Sequence, residues 1–368
     1  MKFTVQTKDL KSALALAMAC CPGKSTIPIL SHVLIAADAG GLAIAASDLD
    51  REVKLHCAAT VREPGTEAIG GAMLSSIVAQ LRPGSELSLQ SEDGKVKLIS
   101  GRSRFSIPTL PATDFPSLGD PAADAAEYTL TGGAFQAAAM RVLFAVSTDT
   151  ATRGYLCGIH VHPDGNSWVC VGADTAWLAV THFDAPAHGQ ALTPFTVPPK
   201  TATLMAKLFP DSGDLTMCIN ERLMAITGPS ASIVSKLMES NYPDYIRVIP
   251  KTGLQTVRAD RDGFTALIQR VAAVGGEAGV DIAFDGESLR AACYKSMGAE
   301  GADEMSLPDR AEPFSLKINA HCVVTALAMF GDDEIGIGFE KDKTGVSAPM
   351  IFRGGEPGTF AVVMSMAR

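Results

Sequence analysis

The chain has 368 residues, 47% hydrophobic and 19% charged, a composition that is typical of folded globular proteins and excludes a disordered chain. Its formal net charge of −9 argues against a broadly basic nucleic-acid binder, although an acidic exterior is compatible with a local basic surface. No apolar run approaches the roughly 20 residues that a membrane-spanning helix needs.

The first elements in chain order are a short alternating strand, Lys2–Val5, and a helix from Lys8 to Ala19 with apolar residues at helical spacing. The Cys21-Pro22-Gly23 sequence ends this helix. A second helix is predicted over Gly71–Leu81. Short strands separated by glycine-containing turns are predicted at Val33–Ala37, Leu42–Ser47, Val53–Cys57, Leu87–Gln90 and Val96–Ser100.

The same plan recurs twice. Strand-plus-helix patterns recur at Glu127–Val146 and Val257–Val274, and second helices at Pro199–Phe209 and Asn319–Phe330. The later strands are predicted at Gly158–His162, Trp168–Ala173, Trp177–Phe183, Leu215–Ile219, Leu223–Thr227, Val280–Phe284, Leu289–Tyr294, Phe314–Ile318, Ile335–Phe339 and Pro349–Arg353. We therefore predict an α+β protein of three repeated domains, each with two helices packed on antiparallel sheets, with boundaries at 1–121, 127–250 and 253–368.

The cysteines and the amino terminus give no sign of metal binding or export. The eight cysteines form no Cys-x-x-Cys pair, so we interpret them as reduced thiols of a cytoplasmic protein and predict no metal and no cofactor. The stretch SALALAMAC at Ser12–Cys20 resembles a signal sequence, but its pattern recurs at 135 and 264, where no signal could stand.

No catalytic constellation stands out. Gly23-Lys24-Ser25 matches only the end of a P-loop, and no Gly-x-Ser-x-Gly elbow is present. His160 and His162 share one face of a strand, an arrangement that metal sites also use, but carboxylate or cysteine partners at fitting spacing are missing. A repeat-built enzyme that uses the histidines of 160–188 or the cysteines therefore remains only as an alternative.

Basic residues recur on the non-core faces of the predicted helices. Isolated Lys and Arg residues are ordinarily solvated, yet similar helices on one side of a closed arrangement would pool their charge into a surface that attracts phosphates. The positions concerned are Lys8, Lys11, Arg82, Arg141, Lys200, Lys207, Arg261 and Arg270.

Three stretches carry a family resemblance. GRSRFSIPTLPATDFP from Gly101, NYPDYIRVIP from Asn241 and the terminal VVMSMAR resemble the bacterial DNA polymerase III β subunit, the sliding clamp. MKFTV at the start, TIPIL at Thr26–Leu30 and the three-copy layout extend the resemblance over the whole chain.

The resemblance implies a non-enzymatic processivity factor: a homodimeric ring whose helices line a hole around double-stranded DNA, which it holds without reading sequence. The implied partners are a second copy of the chain, the DNA polymerase III α subunit, the clamp loader δ subunit, and other polymerases and repair proteins with clamp-binding motifs. The family's DNA-contact positions fall on Lys24, Arg153, Tyr155 and Lys200, to which the helix pattern adds Lys207 and Arg82.

The resemblance also implies a ring joint and a peptide-binding groove. At the joint a basic and apolar edge would face an acidic and apolar one, a combination suited to a heterologous contact. One side has Arg102, Arg104, Phe105 and Ile107, and the other has Ala273, Val274, Glu300, Asp303 and Glu304. The groove positions are Leu156, Ala173, Thr175, Trp177, Leu178, Pro243, Arg247, Val248, Pro349, Val362, Val363, Met364, Ser365 and Met366.

The chain departs from the family at this groove. The usual Thr-Asp-Gly-His-Arg-Leu reads Ala173-Asp174-Thr175-Ala176-Trp177-Leu178, so glycine freedom is lost and an arginine charge is replaced by indole bulk. The usual Met-Pro-Met end reads Met364-Ser365-Met366, and Gly154 replaces one of two tyrosines. An alternative within the family is therefore a specialised second clamp with an altered peptide pocket, serving resistance or an accessory polymerase.

Overall fold

A computed structural model describes residues 1–23, 25–119, 121, 125–186, 191–210, 213–239, 241–250, 254–275, 279–294, 298–340 and 349–366. The helices of these residues are α1 (Thr7–Ala17), α2 (Gly71–Gln80), α3 (Ala134–Val142), α4 (Pro199–Leu208), α5 (Arg261–Gly275) and α6 (Ala320–Leu327). A helix lies at each of the six positions where the sequence pattern predicts one. Among the described residues, none of the helices combines the length and the apolar character needed to cross a bilayer.

The strands surround these helices in the chain. They are β1 (Lys2–Gln6), β2 (His32–Asp38), β3 (Gly41–Ser47), β4 (Arg51–Cys57), β5 (Ala59–Glu63), β6 (Gly65–Gly70), β7 (Glu86–Glu92), β8 (Lys95–Ser100), β9 (Ser103–Leu110), β10 (Ala126–Leu130), β11 (Ile159–Asp164), β12 (Ser167–Ala173), β13 (Trp177–Asp184), β14 (Phe195–Val197), β15 (Leu215–Ile219), β16 (Leu223–Thr227), β17 (Ala231–Lys236), β18 (Leu254–Asp260), β19 (Val280–Tyr294), β20 (Glu300–Ile318), β21 (Glu334–Glu340), β22 (Pro349–Arg353) and β23 (Phe360–Met364).

The chain falls into two compact units. One comprises Met1–Ala134, Pro186–Ala191 and Lys200–Leu237, and the other comprises Phe135–Ala185, Leu192–Pro199 and Met238–Arg368. Each unit is organised by one large antiparallel sheet. The predicted three-domain boundaries stay a prediction, because β17 of the second sequence repeat pairs with β4 of the first, and β13 pairs with β23 of the third.

The first unit is built on a 13-stranded sheet in the order β10-β15-β16-β17-β4-β3-β2-β6-β9-β8-β7-β1-β5. Helix α1 buries Leu10, Ala13, Leu14 and Ala17, the apolar stripe that its sequence predicts, and packs on α2 and on β3 and β4. It ends at Ala17, two residues before the predicted end, because a 3₁₀ turn over Met18–Cys20 tightens the chain ahead of Pro22.

The second unit holds an eight-stranded sheet in the order β14-β11-β12-β13-β23-β22-β21-β18 and the β19–β20 hairpin. Helix α3 places Phe135 against Phe183 and Phe195 of the sheet. Its last turn lies so close to β12 that a Cβ on Gly172 would collide with the Val142 carbonyl oxygen. Helix α5 packs on α6 and on the hairpin, and Asn319 caps α6 by accepting from the Cys322 N–H.

One sequence expectation about this hairpin is wrong. The strands predicted at Val280–Phe284 and Leu289–Tyr294 are one continuous strand, β19. The register of β19 with β20 shifts on both sides of Gly286, whose φ of +64° allows an irregularity instead of a chain reversal. The intervening residues therefore continue the ladder.

Candidate binding surfaces

An apolar cluster covers one face of the second unit's sheet, and we call it the floor. Residues directly opposite on neighbouring antiparallel strands point to the same face. The register pairs Ala173 with Leu178, Leu178 with Val362, and Val362 with Ile351, which aligns the floor across four strands. Its buried members are Leu156, Val169, Val171, Ala173, Leu178, Val180, Ile351 and Val362.

Residues 241–250, the flank segment, lie against this floor. Tyr242, Tyr245 and Ile249 are half-buried and pack on it, whereas Ile246 and Val248 are 48% and 55% exposed. A single 3₁₀ turn, Tyr245–Val248, is its only regular structure among the described residues. The segment thus places exposed apolar side chains beside a buried apolar face.

Histidines of β11 contact the flank segment. The rings of His160 and Tyr242 are stacked, with centroids 4.5 Å apart and planes 5° apart. The His162 Nε2 atom lies 2.8 Å from the Tyr245 hydroxyl, and its Nδ1 atom lies 2.9 Å from the Pro163 carbonyl oxygen. The two histidine rings share one face of β11, as predicted, with centroids 5.6 Å apart.

Burial sets the protonation of these side chains. Desolvation, with a smaller contribution from neighbouring His162, lowers the pKa of His160 to about 4. Desolvation raises the pKa of Tyr245 to about 12, with Asp164 and Asp244 adding to the shift, and it raises the pKa of Tyr242 as well. At neutral pH His160 and both tyrosines are therefore uncharged, as their apolar surroundings require. Within the described chain, no group of three or more His, Cys, Asp or Glu side chains is placed to hold a metal ion.

The structure distributes the predicted groove residues over several places in the second unit. Leu156, Ala173, Leu178 and Val362 belong to the floor, and Pro243, Arg247 and Val248 lie on the flank segment. Pro349 pairs with Met364 at the end of the β22–β23 ladder, while Met366 forms an isolated bridge with Lys317. Ser365, between them, has a buried hydroxyl with no hydrogen-bond partner among the described residues.

Trp177 and Val363 face the opposite side of the sheet, because they alternate with Leu178 and Val362 along their strands. The Trp177 ring lies 5.3 Å from that of Phe144, edge to face, and 6.0 Å from that of His321. Thr175 is exposed in the turn before β13, where the Asp174 carboxylate accepts from its N–H. A role for these three residues in a groove stays a prediction.

Two predicted DNA-contact residues, Arg153 and Tyr155, lie on one loop of the second unit. The Arg153 guanidinium is 3.6 Å from the Asp149 carboxylate and 4.0 Å from that of Asp174. Hydrogen bonds from the Thr152 hydroxyl and N–H hold the pKa of Asp149 below its usual range, with the Arg153 charge adding to the shift. The Tyr155 side chain is 45% exposed.

The other predicted DNA contacts belong to the first unit. Lys200 and Lys207 are exposed at the two ends of α4, and Arg82 is exposed just after α2. The backbone of this region is well fixed, since the Lys200 carbonyl accepts from Arg51 and the Arg82 carbonyl accepts from Thr7. Lys24 lies outside the described residues.

The basic joint residues lie on β9 and the turn before it. Arg102, Arg104 and Phe105 are exposed, and Ile99 on neighbouring β8 is 40% exposed, so this edge is basic and apolar at its surface. Ile107 is only 1% exposed and belongs to the core of its own unit.

The acidic joint residues lie on β20, and Asp303 and Glu304 already have partners in the same chain. The Asp303 carboxylate accepts from Arg270 at 2.7 Å, which lowers its pKa, and the Glu304 carboxylate accepts from Arg290 at 3.0 Å. Glu300 is exposed, and Val274 packs against Gly301, where an added Cβ would lie 2.9 Å from its methyl group. Ala273 lies beside Val274 on α5.

Sequence reasoning missed several residues of these surfaces. Arg270 was assigned only to a general basic face, and Arg290 was not singled out. Tyr294, 65% exposed at the end of β19, was likewise missed. The histidines of β11 were noted only as metal candidates. The signal for their other role was the pair Tyr242 and Tyr245, two aromatic rings three residues apart that needed side-chain partners.

Comparisons with known proteins agree with one another. The profile of the DNA polymerase III beta subunit N-terminal domain matches residues 1–119, and that of the central domain matches residues 129–244. The beta sliding clamp of Escherichia coli strain K12 is 30% identical over 285 residues, covering 75% of each chain.

Solved sliding-clamp structures match the fold of this chain over its full length. The Caulobacter crescentus polymerase III beta structure superposes with a TM-score of 0.90 and 26% identity, covering 100% of both chains. A Pseudomonas aeruginosa sliding clamp bound to griselimycin matches with a TM-score of 0.93 over 100% of both chains, and at 23% identity it supports the fold. The chain belongs to the DNA polymerase III beta subunit family, the bacterial beta sliding clamps.

Proposed function

We propose that this chain is a non-catalytic processivity factor that acts in the cytoplasm as a homodimeric ring around duplex DNA and tethers the replicative polymerase. The observation that carries the proposal is the full-length match to clamp structures, because encirclement depends on the course of the whole chain. The eight cysteines are all free thiols, which fits a reducing compartment.

The exposed cations fit loose contact with DNA. Lys200, Lys207 and Arg82 are exposed at or just beyond helix ends, where they offer charge to phosphates, whereas Arg153 is partly exposed on a loop and is paired with Asp149 and Asp174. A ring that slides needs such sequence-independent attraction to phosphates, which weakens as salt rises. We therefore propose that topology, and not affinity, retains the protein on DNA.

The floor and the flank segment would form the docking site for partner peptides. The site offers a buried apolar face, exposed Ile246 and Val248 beside it, and methionine side chains at 364 and 366. Such a surface suits short apolar motifs from the polymerase α subunit, the clamp loader δ subunit and repair proteins. We infer that griselimycin, bound to the Pseudomonas clamp, would occupy the same site here.

The ring joint would bring Arg102, Arg104 and Phe105 of one copy against β20 and α5 of the other. Because Asp303 and Glu304 are already paired with arginines of their own chain, we expect charge attraction to add little to this joint. Apolar contact by Phe105 and Ile99 would then supply most of its stability.

The decisive experiment is retention on DNA of defined topology. The protein is loaded by a clamp loader onto a nicked circular plasmid, separated from free protein by gel filtration, and the plasmid is then cut once. We expect co-elution with the circle, loss after cutting, and a solution mass twice the 38.4 kDa of one chain. A monomer in solution, or equal retention on circular and linear DNA, would overturn the proposal.

A further inference from the structure

The flank segment is attached to the sheet by side chains. Backbone hydrogen bonds close inside it, where the Arg247 N–H donates to the Asp244 carbonyl and the Ile249 N–H donates to the Ile246 carbonyl, and none of its residues belongs to a strand. Its backbone therefore does not extend the β-ladder of the floor. Its position depends on what its side chains contact.

Two of these contacts involve histidines of β11. Register pairs His160 with Val171 and His162 with Val169, so both rings lie on the floor's face of the sheet. Tyr242 stacks on His160, and Tyr245 reaches His162. The partners are spaced by three residues on the flank segment and by two on β11, which lets one short turn engage both rings.

The hydrogen bonds fix how the histidines act. The Pro163 carbonyl can only accept, so the His162 Nδ1 atom carries a proton, and in the neutral ring Nε2 accepts from the Tyr245 O–H. His160 is oriented in turn by Thr196, whose hydroxyl lies 3.2 Å from its Nδ1 atom. His162 is thus held by the next residue of β11 and His160 by neighbouring β14, and each ring presents a defined surface to a tyrosine.

We propose that His160 and His162 are positioning residues of the peptide site, which hold the flank segment in its binding-competent place beside the floor. This inference rests on the proposed function, because it assumes that the floor and the flank segment bind peptides. The apparent dissociation constant of a ligand rises in inverse proportion to the fraction of protein that is competent. Loss of a histidine contact therefore weakens binding without removing any surface that the peptide touches.

The test uses the full-length protein and griselimycin, titrated calorimetrically. H160A removes the stack on Tyr242, whereas H160F keeps an aromatic face and loses only the polar contact to Thr196. We expect H160A to weaken griselimycin binding about tenfold at unchanged stoichiometry, and H160F to restore most of the affinity. If His160 did not act by stacking on Tyr242, H160A and H160F would weaken griselimycin binding to the same extent.

Y245F removes one hydroxyl and retains the ring, and we expect it to weaken binding about threefold to fivefold. H56A is the matched control, because His56 is an exposed strand histidine of the first unit. Unfolding midpoint and solution mass are measured for every variant to show that each is folded and assembled as the unsubstituted protein is.

The outcomes separate the two claims. Equal affinities of the unsubstituted protein, H160A and Y245F would overturn the positioning role and leave the proposed function intact. Equal weakening by H160A and H160F would also overturn it, because the stack would then be irrelevant. If the unsubstituted protein binds no griselimycin but is retained on circular DNA, the peptide site itself is wrong and the inference fails with it.

Discussion

The floor and the flank segment lie against each other but are held by different forces. Apart from Leu156, the floor consists of side chains on strands whose backbones are hydrogen-bonded to neighbours on both sides, and Val169, Val171 and Ile351 are fully buried. The flank segment has the internal backbone hydrogen bonds of one 3₁₀ turn, exposed Ile246 and Val248, and aromatic contacts to β11.

This difference indicates that the floor is the rigid part of the site and that the flank segment is the part that can move. Opening a strand of the floor breaks many hydrogen bonds and exposes apolar area at once, so it approaches the cost of unfolding. Displacing the flank segment breaks a few side-chain contacts. Substitutions in the floor should therefore change stability most, and those in the flank segment should change the site while sparing the fold.

The largest effect is expected from truncation in the floor. Leu178 is 3% exposed, and L178A leaves a cavity within the floor, so we expect a loss of about 2–4 kcal/mol in unfolding free energy. Urea denaturation followed by circular dichroism measures it, with T175A in the exposed turn as the control. A midpoint for L178A equal to that of T175A would show that the floor is not a packed core.

A smaller loss of unfolding free energy is expected at acidic pH, from protonation of His160 where β11 contacts the flank segment. The pKa of His160 is about 4 in the folded chain and near 6.5 when unfolded, so its contribution is full above pH 6.5 and is lost as pH falls toward 4. After discounting for partial solvent access, this amounts to roughly 1–2 kcal/mol. The titratable side chains that face His160 are His162 on the same strand and Tyr242 on the flank segment.

Thermal denaturation between pH 7 and pH 4.5 checks this expectation. H160F carries no titrating ring, so its midpoint should fall less over this range than that of the unsubstituted protein. Carboxylates such as Asp303 and Asp309 have lowered pKa values and lose their contribution at still lower pH, in both proteins alike. Parallel pH profiles would contradict a buried neutral His160.

The contrast also explains what the sequence could predict. The short apolar runs of β12, β13 and β22 and the helical spacing of α1 are local signals, so these strands and the helices were predicted within a few residues, whereas β23 was not predicted as a strand. β19 was predicted as two separate strands, and only its pairing with β20 shows that the strand continues through Gly286.

Local sequence patterns could not predict which side chains from distant parts of the chain contact each other. The His160–Tyr242 stack joins residues 82 positions apart, and the pairing of Asp303 with Arg270 joins a strand to a helix. Trp177 and Leu178 are both predicted groove residues, and only the strand register shows that they lie on opposite faces of the sheet, so the role of Trp177 in a groove stays a prediction. Residue type alone does not reveal such partners.

The third prediction concerns the Tyr245 hydroxyl. Y245F removes the hydrogen bond to His162, worth about 1 kcal/mol, and this loss should appear as local opening of the flank segment. Amide hydrogen exchange at Ile249, whose N–H donates within the segment, should speed up about fivefold while exchange in β12 is unchanged. Unaltered exchange at Ile249 would mean that apolar packing alone holds the segment.

The smallest effect is expected at the outer surface of the flank segment. Arg247 is 82% exposed at its side chain and pairs with Asp244, three residues earlier in the same turn, at 2.9 Å. Such a pair gains little in water, so R247A should change the unfolding free energy by less than about 0.5 kcal/mol and leave exchange at Ile249 unchanged. Urea denaturation and hydrogen exchange measure both quantities, with D244N removing the same pair from its other side. If R247A instead sped up amide exchange at Ile249 as much as Y245F does, the ion pair on the solvent side would also hold the flank segment. The contacts to β11 would then not be what distinguishes it from the floor.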